Sequence, residues 1–118
     1  MDHLSKGRDG EKLAESYLRS QGCKTVVANF SSKFGEIDII CRDKSELVFV
    51  EVRYRSQRTY GTAAETVSMR KQQKVIKTAQ YFLQKHPKFN SLYMRFDVIG
   101  IDASNNIEWI KGAFQATA

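Results

Sequence analysis

The sequence predicts an α/β fold: a mixed central sheet flanked by helices, in the order α-β-β-β-α-β, with a short C-terminal edge strand. Three observations carry that expectation. Residues 35–55 (GEIDIICRDKSELVFVEVRYR) alternate with period two on both sides of one polar cluster, the pattern of a hairpin rich in β-branched residues. Residues 5–21 and 68–86 repeat apolar side chains at helical spacing. The second of these helices lies between the third strand and a fourth apolar stretch, 92–101 (LYMRFDVIGI). A helix in that place is a crossover, so the third and fourth strands should run parallel with a right-handed connection.

In the first helix Leu13, Ala14, Tyr17 and Leu18 form one stripe, and Gly22 supplies a stop. Glu11 stands at the edge of that stripe and Glu15 points further away. Residues 23–30 (CKTVVANF) read as the first strand, with Ser31, Ser32 and Lys33 turning the chain into the hairpin. A hairpin turn centred between Lys44 and Ser45 sets Ile37 against Val52, Ile39 against Val50 and Cys41 against Val48, one apolar face. On the other face Ile40 meets Phe49, Asp38 meets Glu51, and Glu36 meets Arg53. Two carboxylates directly across a ladder repel. A hard divalent cation reverses the sign, because it takes carboxylate oxygens as ligands. The register that best packs the apolar face therefore builds a metal-sized acidic notch, whereas a one-residue bulge would separate Asp38 from Glu51.

Residues 56–67 lack periodicity and include Arg58, Tyr60 and Gly61. The second helix gathers Met69, Val75, Ile76, Ala79, Phe82 and Leu83 on one side and ends at Pro87. Its other side carries Arg70, Lys74, Lys77 and Tyr81, with Lys71 and Lys85 at the margin. In the fourth strand Asp97 sits mid-strand and reads as a structural partner for an arginine such as Arg95. Residues 107–111 (IEWIK) form the edge strand, with Trp109 closing the core.

At 118 residues the chain is expected to be one domain, 1–118. Lys and Arg number 19 against 13 Asp and Glu, a net charge of +6. That balance favours polyanionic partners. It is also patterned: between positions 53 and 77 only Glu65 offsets Arg53, Arg55, Arg58, Arg70, Lys71, Lys74 and Lys77. This run is expected to face phosphates. Cys23 and Cys41 are too few for a disulfide framework, and with His3 and His86 they make no zinc set. They read as small buried hydrophobes. The N-terminal residues contain no apolar signal core and no apolar run approaches membrane-spanning length, so a cytoplasmic location without membrane contact is expected. His3 near a terminus and His86 before Pro87 are poorly placed as oriented bases, which argues against serine or cysteine catalysis.

An acid near the first helix, a paired Asp38 and Glu51, and a cation at Arg53 describe metal-assisted phosphodiester hydrolysis with Mg²⁺ or Mn²⁺. Asp38 and Glu51 would be ligands, and Glu11 a further ligand directly or through water. Arg53 would stabilise the pentavalent transition state. It stays protonated at any working pH and so cannot act as a base. The order of elements with Asp38 and the Glu51-Val52-Arg53 triplet resembles the PD-(D/E)xK restriction-endonuclease-like superfamily. Within it, GEIDII, LVFVEVRYR, the Thr78-Ala79 helix, RFDVIGI and EWIKGAF closely resemble the bacterial YraN family, which is similar to archaeal Holliday junction resolvases. The resemblance implies a restriction-endonuclease-like fold and a nuclease of branched or other DNA. Its site would be Glu11, Asp38, Glu51 and Arg53, its partners DNA and a second copy of the chain. Arg53 stands where the superfamily usually carries Lys. The alternative is a non-catalytic nucleic-acid-binding module with a degenerate site.

Overall fold

A computed structural model describes residues 3–55 and 62–116, with side chains from residue 9 onward. Five strands form one sheet whose spatial order follows the chain: β1 (Lys24–Ser32), β2 (Gly35–Asp43), β3 (Glu46–Tyr54), β4 (Tyr93–Ile101) and β5 (Ile107–Phe114). All neighbours are antiparallel except β3 and β4, which run parallel, as the crossover requires. The hairpin pairs Ile39 with Val50, Ile40 with Phe49 and Cys41 with Val48, the register expected from a turn at Lys44 and Ser45. Two helices cover the sheet, α1 (His3–Ser20) and α2 (Met69–Lys85). Ser68 caps α2, its Oγ accepting the Lys71 N–H at 3.1 Å, and the helix stops at His86 before Pro87.

Each face of the sheet owns a core. Ala14 and Leu18 of α1 pack on Ile39, Cys41, Val48, Val50, Ile99 and Ile101. On the opposite face Val75, Ala79 and Phe82 of α2 pack on Ile40, Leu47, Phe49 and Phe96. Both cysteines are buried and free, as read from the sequence. Trp109 packs at the margin of the α1 core, edge-on to Tyr17 at 6.1 Å.

Three expectations are corrected. Ile37 does not share a face with Ile39 and Cys41; it packs in the α2 core. The strand alternation breaks at Asp38, where a carboxylate takes a backbone N–H of β3. Met69 is not on the buried stripe but 69% exposed, because it opens the helix before α2 reaches the sheet. The last strand runs to Phe114 rather than Lys111: its ladder to β4 is interrupted opposite Asp97 and then resumes at Phe96–Phe114.

Gly100 marks a close approach. A Cβ there would stand 2.5 Å from the Cβ of Ala63, inside the small cluster of Ala63, Val67 and Val98. Gly100→Ala is therefore expected to destabilise by about 1–3 kcal/mol through overpacking, read as a lowered urea midpoint. A variant as stable as wild type would mean that residues 62–67 give way freely.

Candidate active site

The ladder between β2 and β3 ends at Ile39–Val50, one position short of Asp38 and Glu51. Beyond it Asp38 bends its side chain between the strands, and Oδ2 accepts the Val52 N–H at 2.8 Å. The carboxylate thus replaces a main-chain acceptor and is held close to Glu51. The two carboxyl groups come within hydrogen-bonding reach of each other, and Glu51 is only 6% exposed. Burial first, then the negative charge of Asp38, pushes the Glu51 carboxyl from an ordinary 4.5 up to about 8. Lys71 and, more weakly, Arg53 pull the other way. The acidic pair expected from the register is thus present, formed by a bent strand rather than a continued ladder.

Glu11 approaches from α1. Gly10 lets the helix close on β3, because a Cβ there would run into the Tyr54 ring. The glycine forgoes about 1 kcal/mol of helix propensity relative to alanine. The next residue, Glu11, is half-buried, and its carboxyl is raised by burial and then by the charges of Asp38 and Glu36. Glu11 Oε1, Glu51 Oε2 and Arg53 Nε are all buried without a hydrogen-bond partner. Native interiors rarely tolerate such orphans. Here three of them belong to one small region.

The donors offered are carboxylate oxygens, which suit a hard cation. Among the described residues no group of three or more His, Cys, Asp or Glu side chains converges closely enough to hold an ion. Asp38 and Glu51 offer the kind of donor that Mg²⁺ takes, one or two carboxylates with water and phosphate oxygens completing the shell. Glu11, expected as a further ligand directly or through water, stands within electrostatic reach of Asp38 and Glu36.

Lys71, at the margin of the basic side of α2, has its Nζ 3.9 Å from Glu51 Oε2, half-buried, and among nearby cations it has the largest effect on that carboxyl. The signal was in the spacing: Lys71, Val75, Thr78 and Phe82 continue one helical stripe, and the last three are buried. Arg55 Nη1 lies 3.4 Å from Glu108 Oε1. The same oxygen accepts the Ala63 N–H at 3.3 Å, so Glu108 ties together both ends of the segment leaving β3. Arg58, Tyr60 and Gly61 lie outside the described residues. Arg70, Lys74 and Lys77 are exposed along α2, as expected.

Asp97 takes the structural role. It is fully buried and accepts four hydrogen bonds of 2.8–2.9 Å, from Arg95 Nε and Nη2, Trp109 Nε1 and the Gly112 N–H. Arg95 also binds Glu46 at 2.7 Å and Asp43 at 3.1 Å, closing the hairpin end of the sheet. His86 Nδ1 meets the Phe82 carbonyl at 2.9 Å beside a stacked Phe82 ring, a helix-end role.

Residues 10–101 match the family model described as "Uncharacterised protein family UPF0102". A UPF0102 protein of Saccharophagus degradans is 46% identical over 112 residues, covering 95% of this chain and 94% of the relative. One from Coxiella burnetii is 45% identical over 109 residues, covering 92% and 91%. Among solved structures, Pyrococcus furiosus SfsA in complex with Ca²⁺ aligns with a TM-score of 0.36 and 12% identity, over 93% of this chain and 64% of that one. That likeness is too loose to bear on fold or chemistry.

Proposed function

We infer that this chain, which belongs to the UPF0102 family, the YraN family of the motif resemblance, is a metal-dependent nuclease with a restriction-endonuclease-like fold acting on DNA. The observation that carries the reading is the acidic pair of the buried Glu51 and the half-buried Asp38. Two acids pressed together, one raised to about 8 and left with an orphan oxygen, destabilise a fold unless a ligand repays them. Asp38 and Glu51 would hold Mg²⁺ or Mn²⁺, which when bound supplies an acidified water and neutralises phosphate charge. The chain's own groups do the rest. Arg53 presents a permanent positive charge beside the pair, suited to the extra negative charge of a pentavalent phosphorus. Lys71 partly offsets the charge of Glu51 on the α2 side. Glu51 holds a proton at neutral pH in the ligand-free protein, so binding a cation releases it.

The direct test is cleavage of branched, flapped and linear DNAs with Mg²⁺ or Mn²⁺. Asp38→Asn is expected to lower the rate by at least 10- to 100-fold, since even outer-shell groups of a metal site cost that much. Equal rates in wild type and variant would sink the reading. A second reading, a binding module, is favoured by Arg53, which keeps its proton where the superfamily's usual lysine can lose one. Binding without cleavage by either protein would put it first.

A further inference from the structure

Away from the acidic pair, the turn between β1 and β2 leans on α2. A Cβ on Gly35 would touch the Thr78 hydroxyl and the stem of Lys74. Next to it Phe34 is 39% exposed and joins none of the three cores. It packs edge-to-face on Tyr81, with centroids 5.9 Å apart at 62°. The two rings line a groove of about 410 Å³ with Lys77, Gln80 and Gln84. Lys33 Nζ stands 5.3 Å from the Phe34 ring and Lys85 Nζ 5.6 Å from the Tyr81 ring. No Asp or Glu occurs in α2, which carries Arg70, Lys71, Lys74, Lys77 and Lys85.

An aromatic pair at the surface among lysines, Phe34 exposed and Tyr81 half-buried, has a chemical meaning that a row of lysines alone lacks. Duplex DNA offers such a surface phosphates and base edges but no π-face, because its bases are stacked. An unpaired base offers a π-face, and its backbone offers charge. We propose that Phe34 and Tyr81 form a stacking platform for an unpaired base of single-stranded DNA, with Lys33, Lys77 and Lys85 on the flanking phosphates. Lys71, Lys74, Lys77, Tyr81 and Lys85 succeed one another at helical spacing, so the platform and the acidic pair lie on one track, about 15 Å apart measured along α2 from Lys71 to Tyr81. Resting on the nuclease reading, this assigns the substrate class: DNA with a single-stranded arm, whose unpaired end is gripped at the platform. The glutamines suit the polar edge of whichever base stacks, without selecting one.

The test is fluorescence anisotropy of the full chain, in chelator and at one low salt concentration. Three labelled probes are compared: a mixed-base single strand, an abasic strand of the same length, and a blunt duplex. Wild type is expected to bind the base-bearing strand more tightly than the abasic one. Phe34→Ala should weaken that complex by about 5- to 100-fold, the range for one lost base–aromatic stack, and leave the abasic and duplex probes within about twofold. Tyr81→Phe should bind as wild type. Phe34→Leu replaces Phe34→Ala if melting shows the latter unfolded. Equal wild-type affinity for the base-bearing and abasic strands overturns the platform. So does a Phe34 effect of the same size on all three probes, which would mark a general change in the surface.

The platform and the nuclease reading fail separately. Cleavage that needs Asp38, with binding indifferent to Phe34, removes the platform and leaves the nuclease. Binding that needs Phe34, without cleavage of any substrate, removes the nuclease and leaves the platform.

Discussion

Asp97→Asn is expected to destabilise the protein by about 3–5 kcal/mol, close to what Asp97→Ala does, although asparagine is nearly the same shape. Each carboxylate oxygen of Asp97 accepts two bonds: Oδ1 from Arg95 Nε and the Gly112 N–H, Oδ2 from Arg95 Nη2 and Trp109 Nε1. An amide has one acceptor. Whichever way it turned, its NH₂ would face two donors, and Arg95 would lose the partner that neutralises it at the core side. Asp43 and Glu46 would remain on the rim, so the arginine would be drawn outward. Urea unfolding followed by the fluorescence of the single tryptophan reads both the loss and the change at Trp109. A loss below about 1 kcal/mol for Asp97→Asn would show that β5 is held by its apolar contacts alone.

Glu51→Gln should act in the opposite direction and stabilise the metal-free protein, increasingly so as the pH rises. The folded carboxyl titrates at about 8, the unfolded one at about its ordinary 4.5. Between those values the folded state carries a proton that the unfolded state has released, so folding stability falls as pH rises through the window. Below about pH 4.5 both states are protonated and the burden is absent; above about pH 8 it is fully present. Each pH unit between the two values corresponds to about 1.4 kcal/mol, which puts the gain from Glu51→Gln at a few kcal/mol by pH 9. Urea midpoints of both proteins at pH 5, 7 and 9 in chelator provide the measurement. A difference that stays flat across that range would mean Asp38 and Glu51 do not burden each other in the fold.

Much of this molecule was legible in its residues. The hairpin register followed from the polar cluster at 43–46 and the alternation around it, and the parallel β3–β4 pairing followed from a helix standing between them. The proximity of Asp38 and Glu51 was legible for the same reason. The bend at Asp38 was not, because period two describes strands that stay in the ladder, and a side chain that replaces a main-chain acceptor leaves no mark on the pattern. Ile37 was misplaced as a direct result. The ion pair of Lys71 with Glu51 was not foreseen, because a lysine counts as solvated by composition, although its helical position already pointed at the sheet. Asp97 was placed correctly as structural, but two of its three partner residues, Trp109 and Gly112, come from β5, which no local rule joins to it. Phe34 and Tyr81 are far apart in the chain, and only the docking of the turn on α2 brings their rings together.

The chain-ordered sheet has a kinetic side. β1, β2 and β3 form a meander of short-range contacts, whereas β4 must wait for a closure that spans the whole crossover through α2. Until that helix docks, Glu51 lies on an open sheet face, hydrated and free to ionise at little cost. The element whose arrival desolvates it also carries Lys71, so the burial of the acid and its partial neutralisation are one event. Docking is thereby made sensitive to protons: in alkaline solution the helix must close over a charge, in acid over a neutral group. The acidic pair, which would serve a ligand in the finished protein, thus makes the docking of α2 depend on pH.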